Sequence, residues 1–285
     1  MTIRPASTEK YSQVKQKVKD LGLHTVCAEA HCPNITECWG GGTATFMVLG
    51  SLCTRGCRFC AVSKMARGES MDRLEPEKLA TVIKGWGLRY VVITSVCRDD
   101  LEDQGSGHFA RCVEQIRKAS PDTMIELLIP DFRYDEECLR RITDSGPDVI
   151  GHNIETVERL TPSVRDRRAA YAQSIAVLRR IKELDRKRYT KSAMMLGIGE
   201  TEEEIVRSMR DLRDAGVDFL AMGQYLRPSQ HHLEIKEYVK PEEFERLKGI
   251  AMDMGFLYVA SGPFVRSSYK AGEYFISRIV AENKV

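Results

Sequence analysis

The 285-residue chain lacks long apolar runs, a net charge of any size and an even set of cysteines, and each absence removes a class of protein. Nothing in it approaches the roughly 18 to 20 consecutive apolar residues that a bilayer span needs, so no membrane-crossing helix is expected. Its 43 basic and 41 acidic residues leave a formal charge of +2, too little to attract polyanions, and nucleic acid is not expected as a partner. The nine cysteines are odd in number and no apolar leader precedes Met1-Thr2-Ile3-Arg4-Pro5, which argues against the disulfide framework of a secreted domain. A reducing, cytoplasmic compartment is the expectation.

What the chain does have is concentrated near its start. Six of the nine cysteines fall between positions 27 and 60, in two groups of three. The second group, Cys53-x3-Cys57-x2-Cys60, follows the apolar run Phe46–Leu49, which reads as a buried strand. Thiolates on a loop after a strand suit a soft metal, and iron–sulfur clusters are held by such ligands. Three cysteines on a four-iron cluster leave one iron open to an exogenous chelator, much as a catalytic zinc keeps a free position. A structural zinc site completed from elsewhere is the alternative. The first group, Cys27-x4-Cys32-x5-Cys38, precedes Gly40-Gly41-Gly42 and implies a second metal site, because core packing scatters cysteines along apolar faces. Cys112 and Cys138 do lie on such faces and read as packing residues. Cys97 follows the second strand and stands apart.

Short apolar or β-branched runs recur at Phe46–Leu49, Tyr90–Thr94, Ile125–Ile129, Val149–Asn153, Ser192–Leu196 and Phe219–Gly223. Between them lie helical stripes such as Leu79, Val82, Ile83 and Trp86, or Phe244, Leu247, Ile250 and Met254. Alternation of this kind implies an α/β fold with a parallel sheet. Thr201-x-x-Glu204 forms a capping box, Gly216 a helix stop, and Pro241 and Gly255 fence the last long helix. Six strand–helix units are too few for an eight-fold closed barrel, and an open, partial (βα)6 barrel fits. The expected organisation is an N-terminal extension over 1–44, the barrel over 45–255 and a C-terminal extension over 256–285. Loops after the strands should converge on one mouth. The adjacent pair His231-His232 is not expected to ligate one metal, since neighbours on a regular element do not face one site.

The cysteine loop, with Phe59 before the last thiol, resembles the signature of radical S-adenosylmethionine (SAM) enzymes. With the first cysteine group, it resembles the lipoyl synthase family in particular. Gly42–Met47, Arg89–Val96, Pro130–Arg133, His152–Glu155, Gly223–Leu226 and Arg266-Ser267-Ser268-Tyr269 are similar to family segments, in family order. That resemblance implies insertion of two sulfur atoms at C6 and C8 of an octanoyl chain on a lipoyl carrier protein. It implies two 4Fe-4S clusters and SAM: Cys53, Cys57 and Cys60 would hold the radical-generating cluster. Cys27, Cys32, Cys38 and Ser268 would hold an auxiliary cluster that supplies sulfur, with Ser268 a poorer partner for iron than a thiolate. Without the resemblance, Ser267 and Ser268 read as turn residues.

The SAM contacts expected are Thr94, Ser95, Asn153, Glu155 and Lys191, with the Gly197-Ile198-Gly199-Glu200 run approaching adenine. Other readings stay open: Thr94 and Ser95 as caps, Lys191 as a solvated strand-edge charge, the glycine run as a tight turn. Family members often carry an acidic residue where this chain has Cys97. The implied partners are an octanoylated lipoyl carrier domain or glycine-cleavage H protein, an electron donor such as flavodoxin or ferredoxin, and an iron–sulfur carrier. Another dual-cluster enzyme such as a methylthiotransferase, or a non-enzymatic iron–sulfur or zinc protein, is the alternative.

Overall fold

The computed structural model describes residues 16–26, 35, 38 and 43–267. Its strands are β1 (His24–Thr25), β2 (Thr43–Val48), β3 (Leu52–Cys53), β4 (Ser63–Lys64), β5 (Tyr90–Ser95), β6 (Met124–Leu128), β7 (Val149–Gly151), β8 (Tyr189–Leu196), β9 (Phe219–Gln224) and β10 (Tyr258–Gly262). The helices are α1 (Glu75–Trp86), α2 (Ser106–Ala119), α3 (Glu136–Asp144), α4 (Thr161–Val164), α5 (Tyr171–Leu184), α6 (Glu202–Asp214) and α7 (Pro241–Asp253).

One eight-stranded sheet runs in the order β1-β2-β5-β6-β7-β8-β9-β10. Only β1 is antiparallel to its neighbour; the other pairs are parallel, and helices supply the crossovers. Among the described residues no ladder closes β10 onto β2 in this α/β sheet. The sequence reading missed β10, whose Tyr258-Val259-Ala260-Ser261-Gly262 alternates too weakly to signal a strand. It adds one parallel strand after residue 255.

Strands covered on both faces read as continuous apolar runs, and here the faces diverge residue by residue. Val91 and Ile93 turn outward into the core under the helices, with Leu79, Ile83, Phe109 and Ile116. Tyr90 and Val92 turn into the barrel with Val149 and Phe219. A second outward core joins Leu220 and Met222 to Met209, Leu212, Phe244 and Leu247.

Helix ends follow local chemistry. The Thr201 side chain accepts from the Glu204 N–H while Glu204 reaches back to the Thr201 N–H, the reciprocal cap anticipated from sequence. Asp135 caps α3 by accepting from the Cys138 N–H. At the carboxyl end of α1, Gly87 takes a left-handed conformation (φ 66°) and closes the last turn onto Ile83 and Lys84 carbonyls.

Candidate active site

The loop after β2 begins with Leu49 in a left-handed conformation (φ 69°). Its N–H donates to Glu75 Oε2 at 2.9 Å, and that buried carboxylate also meets His108 Nε2 at 2.6 Å. The chain then carries Cys53, Cys57 and Cys60 across the carboxyl ends of the central strands. Three other loops grip it. After β5, the Cys97 carbonyl accepts from the Thr54 N–H at 3.0 Å. After β7, the Val164 carbonyl accepts from the Arg58 N–H at 2.9 Å, and Asp166 accepts from the Gly56 N–H at 2.7 Å. After β9, His232 Nε2 donates to the Cys60 carbonyl at 3.1 Å while its Nδ1 accepts from Ser229. His232 therefore braces the cysteine loop.

The thiols receive backbone donors. Cys53 Sγ accepts from the N–H groups of Arg55 and Cys97, each at 3.4 Å, and Cys57 Sγ from that of Asp166 at 3.3 Å. A side-chain hydrogen bond from Cys97, with those two N–H groups, holds the Cys53 thiol down to about 6 against burial. The Cys53 side chain beside it, with burial, pushes Cys97 well above its ordinary value. Burial raises Cys57 and takes Cys60 up to about 11.

Beneath the loop is an ionic lattice that the sequence reading did not anticipate. Arg55 is bidentate to Asp131 (2.6 and 2.7 Å) and to Asp99 (2.9 and 2.9 Å), with all three side chains almost inaccessible. Asp99 also pairs with Arg133 at 3.0 Å and Arg168 at 3.3 Å. Against desolvation, the Arg55 bonds hold Asp99 at about 2, and they hold Asp131 below the usual carboxylate range. Arg168 bridges Asp166 and the Thr54 carbonyl. The signal available in sequence was Arg98-Asp99-Asp100 and Pro130-Asp131-Phe132-Arg133, charged runs directly after strands.

The expected SAM contacts divide. Ser95 ends β5 with a buried Oγ that has no hydrogen-bond partner, whereas Thr94 Oγ1 already donates to the Leu128 carbonyl at 2.9 Å. Asn153 lies beside Glu155, which has φ 66° and a carboxyl raised by desolvation. Nearby Arg165 is 8% exposed; its Nη1 donates to Ser174 Oγ at 2.7 Å, while its buried Nε has no partner.

Lys191 does not reach the mouth, nor is it solvated. Its Nζ lies 2.9 and 3.0 Å from the Glu126 carboxylate inside the barrel, with Tyr90 Oη donating to the same group at 2.5 Å. It sits five residues before the end of β8, about 16 Å at the rise of a strand. A buried lysine requires such a partner, and that partner is below the site. Gly197 (φ 92°) serves packing: a Cβ there would come within 2.3 Å of both Gln224 Nε2 and the Glu237 carbonyl. Gly199 (φ 111°) is less crowded, its nearest neighbour being Lys236 Cγ at 3.6 Å.

Of the other cysteine group, Cys38 is buried in the main core, while Cys27, Cys32 and Ser268 lie outside the described residues. Among the described residues no three His, Cys, Asp or Glu side chains converge as they would on one metal ion. A cluster takes one thiolate per iron and needs its ligands further apart than a single ion does, and three thiols on one loop with N–H donors fit that requirement.

Comparison with known proteins agrees. The radical SAM superfamily model matches residues 47–212. Lipoyl synthases from Toxoplasma gondii (apicoplast), Vitis vinifera and Arabidopsis thaliana (both mitochondrial) are 54%, 54% and 53% identical to the chain over 97%, 95% and 97% of its length. The chain spans about half (51%) of the first relative, and 70% and 76% of the others. The chain belongs to the lipoyl synthase family. Sulfur insertion by radical SAM chemistry, in lipoate biosynthesis, goes with that membership.

Solved structures share the fold at low identity. SuiB of Streptococcus suis bound to its precursor peptide superposes with TM-score 0.60 at 11% identity, over 92% of this chain and 56% of that one. HydG of Carboxydothermus hydrogenoformans gives 0.58 at 11%, over 97% and 78%. The expectation of a cytoplasmic location is overturned by the relatives, which are named mitochondrial or apicoplast. Reduced cysteines specify a reducing compartment, not which membrane encloses it. No helix among the described residues is long and apolar enough to cross a membrane.

Proposed function

We propose that this lipoyl synthase inserts sulfur at C6 and C8 of an octanoyl chain amide-linked to a carrier lysine, with Cys53, Cys57 and Cys60 holding one 4Fe-4S cluster. Cys27, Cys32, Cys38 and Ser268 are proposed to hold a second. The observation that carries the reading is three thiols on one loop at the mouth, two of whose sulfurs already receive three backbone N–H donors. N–H donors of this kind stabilise thiolate charge. When bound, the first cluster supplies one electron to the sulfonium of SAM and the second supplies sulfur.

The chain's own residues bind and orient. The amino and carboxylate ends of SAM call for polar groups of both signs, and the mouth offers Ser95 Oγ and Arg165 Nε, both buried and without partners, beside Asn153 and Glu155. Each unsatisfied group carries a desolvation cost that a bound zwitterion would relieve. Thr94 supports the strand end behind them, and the turn from Gly197 to Glu200, with its two N–H bonds to the Glu200 carboxylate, forms a wall beside adenine. Lys191 is assigned no contact. The Arg55 lattice fixes the cysteine loop, so the reacting groups are held in one orientation.

The proposed partners are an octanoylated lipoyl carrier domain or glycine-cleavage H protein, a flavodoxin- or ferredoxin-class donor and an iron–sulfur carrier. The test is anaerobic reconstitution, then incubation of an octanoyl-lysyl peptide with SAM and a reductant. A mass gain of two sulfurs on the peptide supports the assignment; an unchanged peptide, with SAM cleaved, refutes it.

A further inference from the structure

Cys97 is the one thiol near the mouth that the proposed function leaves without a role. It is held against Cys53 by its backbone on two sides. Its N–H donates to Cys53 Sγ at 3.4 Å, and its carbonyl accepts from the N–H of Thr54, the next residue, at 3.0 Å. Thr54 Oγ1 adds a contact of 2.9 Å to the same carbonyl. Both residues are partly exposed.

The other two thiols of the loop are differently placed. Cys57 Sγ accepts from the Asp166 N–H at 3.3 Å, and burial raises the Cys60 thiol. A disulfide needs two Cβ carbons about 3.5 to 4.5 Å apart, and the contact of 3.4 Å from the Cys97 N–H to Cys53 Sγ brings the two residues within a side chain's length of each other.

We infer that Cys53 and Cys97 form a redox-closed pair in the cluster-free chain, a reversible disulfide made with a disulfide oxidant of the glutathione class. One thiolate of the pair attacks a sulfur of the oxidant, whose S–S bond breaks and releases one glutathione thiolate. The partner sulfur then attacks the mixed disulfide, forming the Cys53–Cys97 bond and releasing the second thiolate. Two electrons pass from the pair to the oxidant, and the two protons lost go to the two released thiolates. Closure keeps Cys53 from climbing irreversibly to sulfinic acid and withholds it from metal until a reductant reopens the bond. The effect on metal loading rests on the proposed role of Cys53; the bond itself does not. An acidic residue at position 97 could make no such bond.

The cluster-free full-length chain is incubated with oxidised glutathione, alkylated without reduction and digested for mass spectrometry. A cross-linked peptide pair joining Cys53 to Cys97 is expected as the main product in the native chain, lost in Cys97→Ser and in Cys97→Asp, and reversed by dithiothreitol. A Cys57–Cys60 bond or a stable glutathione adduct as the main product overturns the inference. In a second arm, the oxidised chain is offered iron and sulfide without reductant. Uptake should fall by roughly half relative to the reduced chain, because one of two four-iron sites is closed, and oxidised Cys97→Ser should load normally. A Cys53–Cys97 bond with undiminished uptake would leave the disulfide standing and refute Cys53 as a cluster ligand.

Discussion

Arg55 and Asp131 meet in a bidentate pair, Nη1 to Oδ2 at 2.6 Å and Nη2 to Oδ1 at 2.7 Å, although 76 positions separate them. The pair ties the middle of the cysteine loop to the loop after β6, and the remaining edge of the guanidinium takes Asp99 from the loop after β5. One planar cation thus holds three loops at once, which an ammonium could not do.

Arg55→Ala should therefore lose about 3 to 5 kcal/mol of stability, since both buried carboxylates are left uncompensated. Arg55→Lys should recover only part of this. Denaturant unfolding of the cluster-free variants measures both. A loss below about 1 kcal/mol for the alanine variant, the range of an exposed pair, would show that the lattice is not what fixes the loop.

Changing Cys53, Cys57 and Cys60 together to Ala should remove about half of the reconstituted iron, one of two four-iron clusters, and abolish SAM cleavage. Iron analysis and chromatography of 5′-deoxyadenosine check it. Continued formation of the nucleoside would exclude the loop as the radical site.

Changing Cys27, Cys32 and Cys38 to Ala should leave SAM cleavage measurable while thiolated product disappears. Ser268→Ala should keep most of the iron and lose product, because serine is the poorest partner for iron among the four proposed ligands. Ser267→Ala, one residue earlier, should retain at least partial activity. Undiminished product from the cysteine variant would remove the second cluster as sulfur source.

Acid stability depends on His152. Desolvation, aided by the Arg165 charge, holds its imidazole down to about 4 from an ordinary 6.5. The neutral ring donates from Nδ1 to the Ile129 carbonyl at 2.9 Å and accepts from Ser174 at Nε2. Between pH 6.5 and 4 the unfolded chain binds a proton that the folded chain excludes. The contribution is complete above 6.5 and is lost as pH falls through 4, a total on the order of 3 kcal/mol. His152→Gln should flatten this slope. Unfolding midpoints measured at intervals between pH 4 and 7 would show whether the native and variant slopes differ.

The sequence by itself determined the parts whose causes are local. Cysteine spacing marked both groups of thiols, apolar runs marked six of the seven parallel strands described in the main sheet, and Thr201 with Glu204 marked the start of a helix, because spacing and caps act within a few residues. It could not determine which distant groups meet. Lys191 reads as a mouth residue or an edge charge until the β6, β7 and β8 registers bring it over Glu126. Nothing local marks Arg55 as the partner of Asp99 and Asp131, or shows that the Cys97 backbone is seated on Cys53. The physical reason is common to all three. A buried charge or thiol takes its meaning from its partner, and the partner is set by strand register and loop convergence across the sheet, which no local pattern encodes.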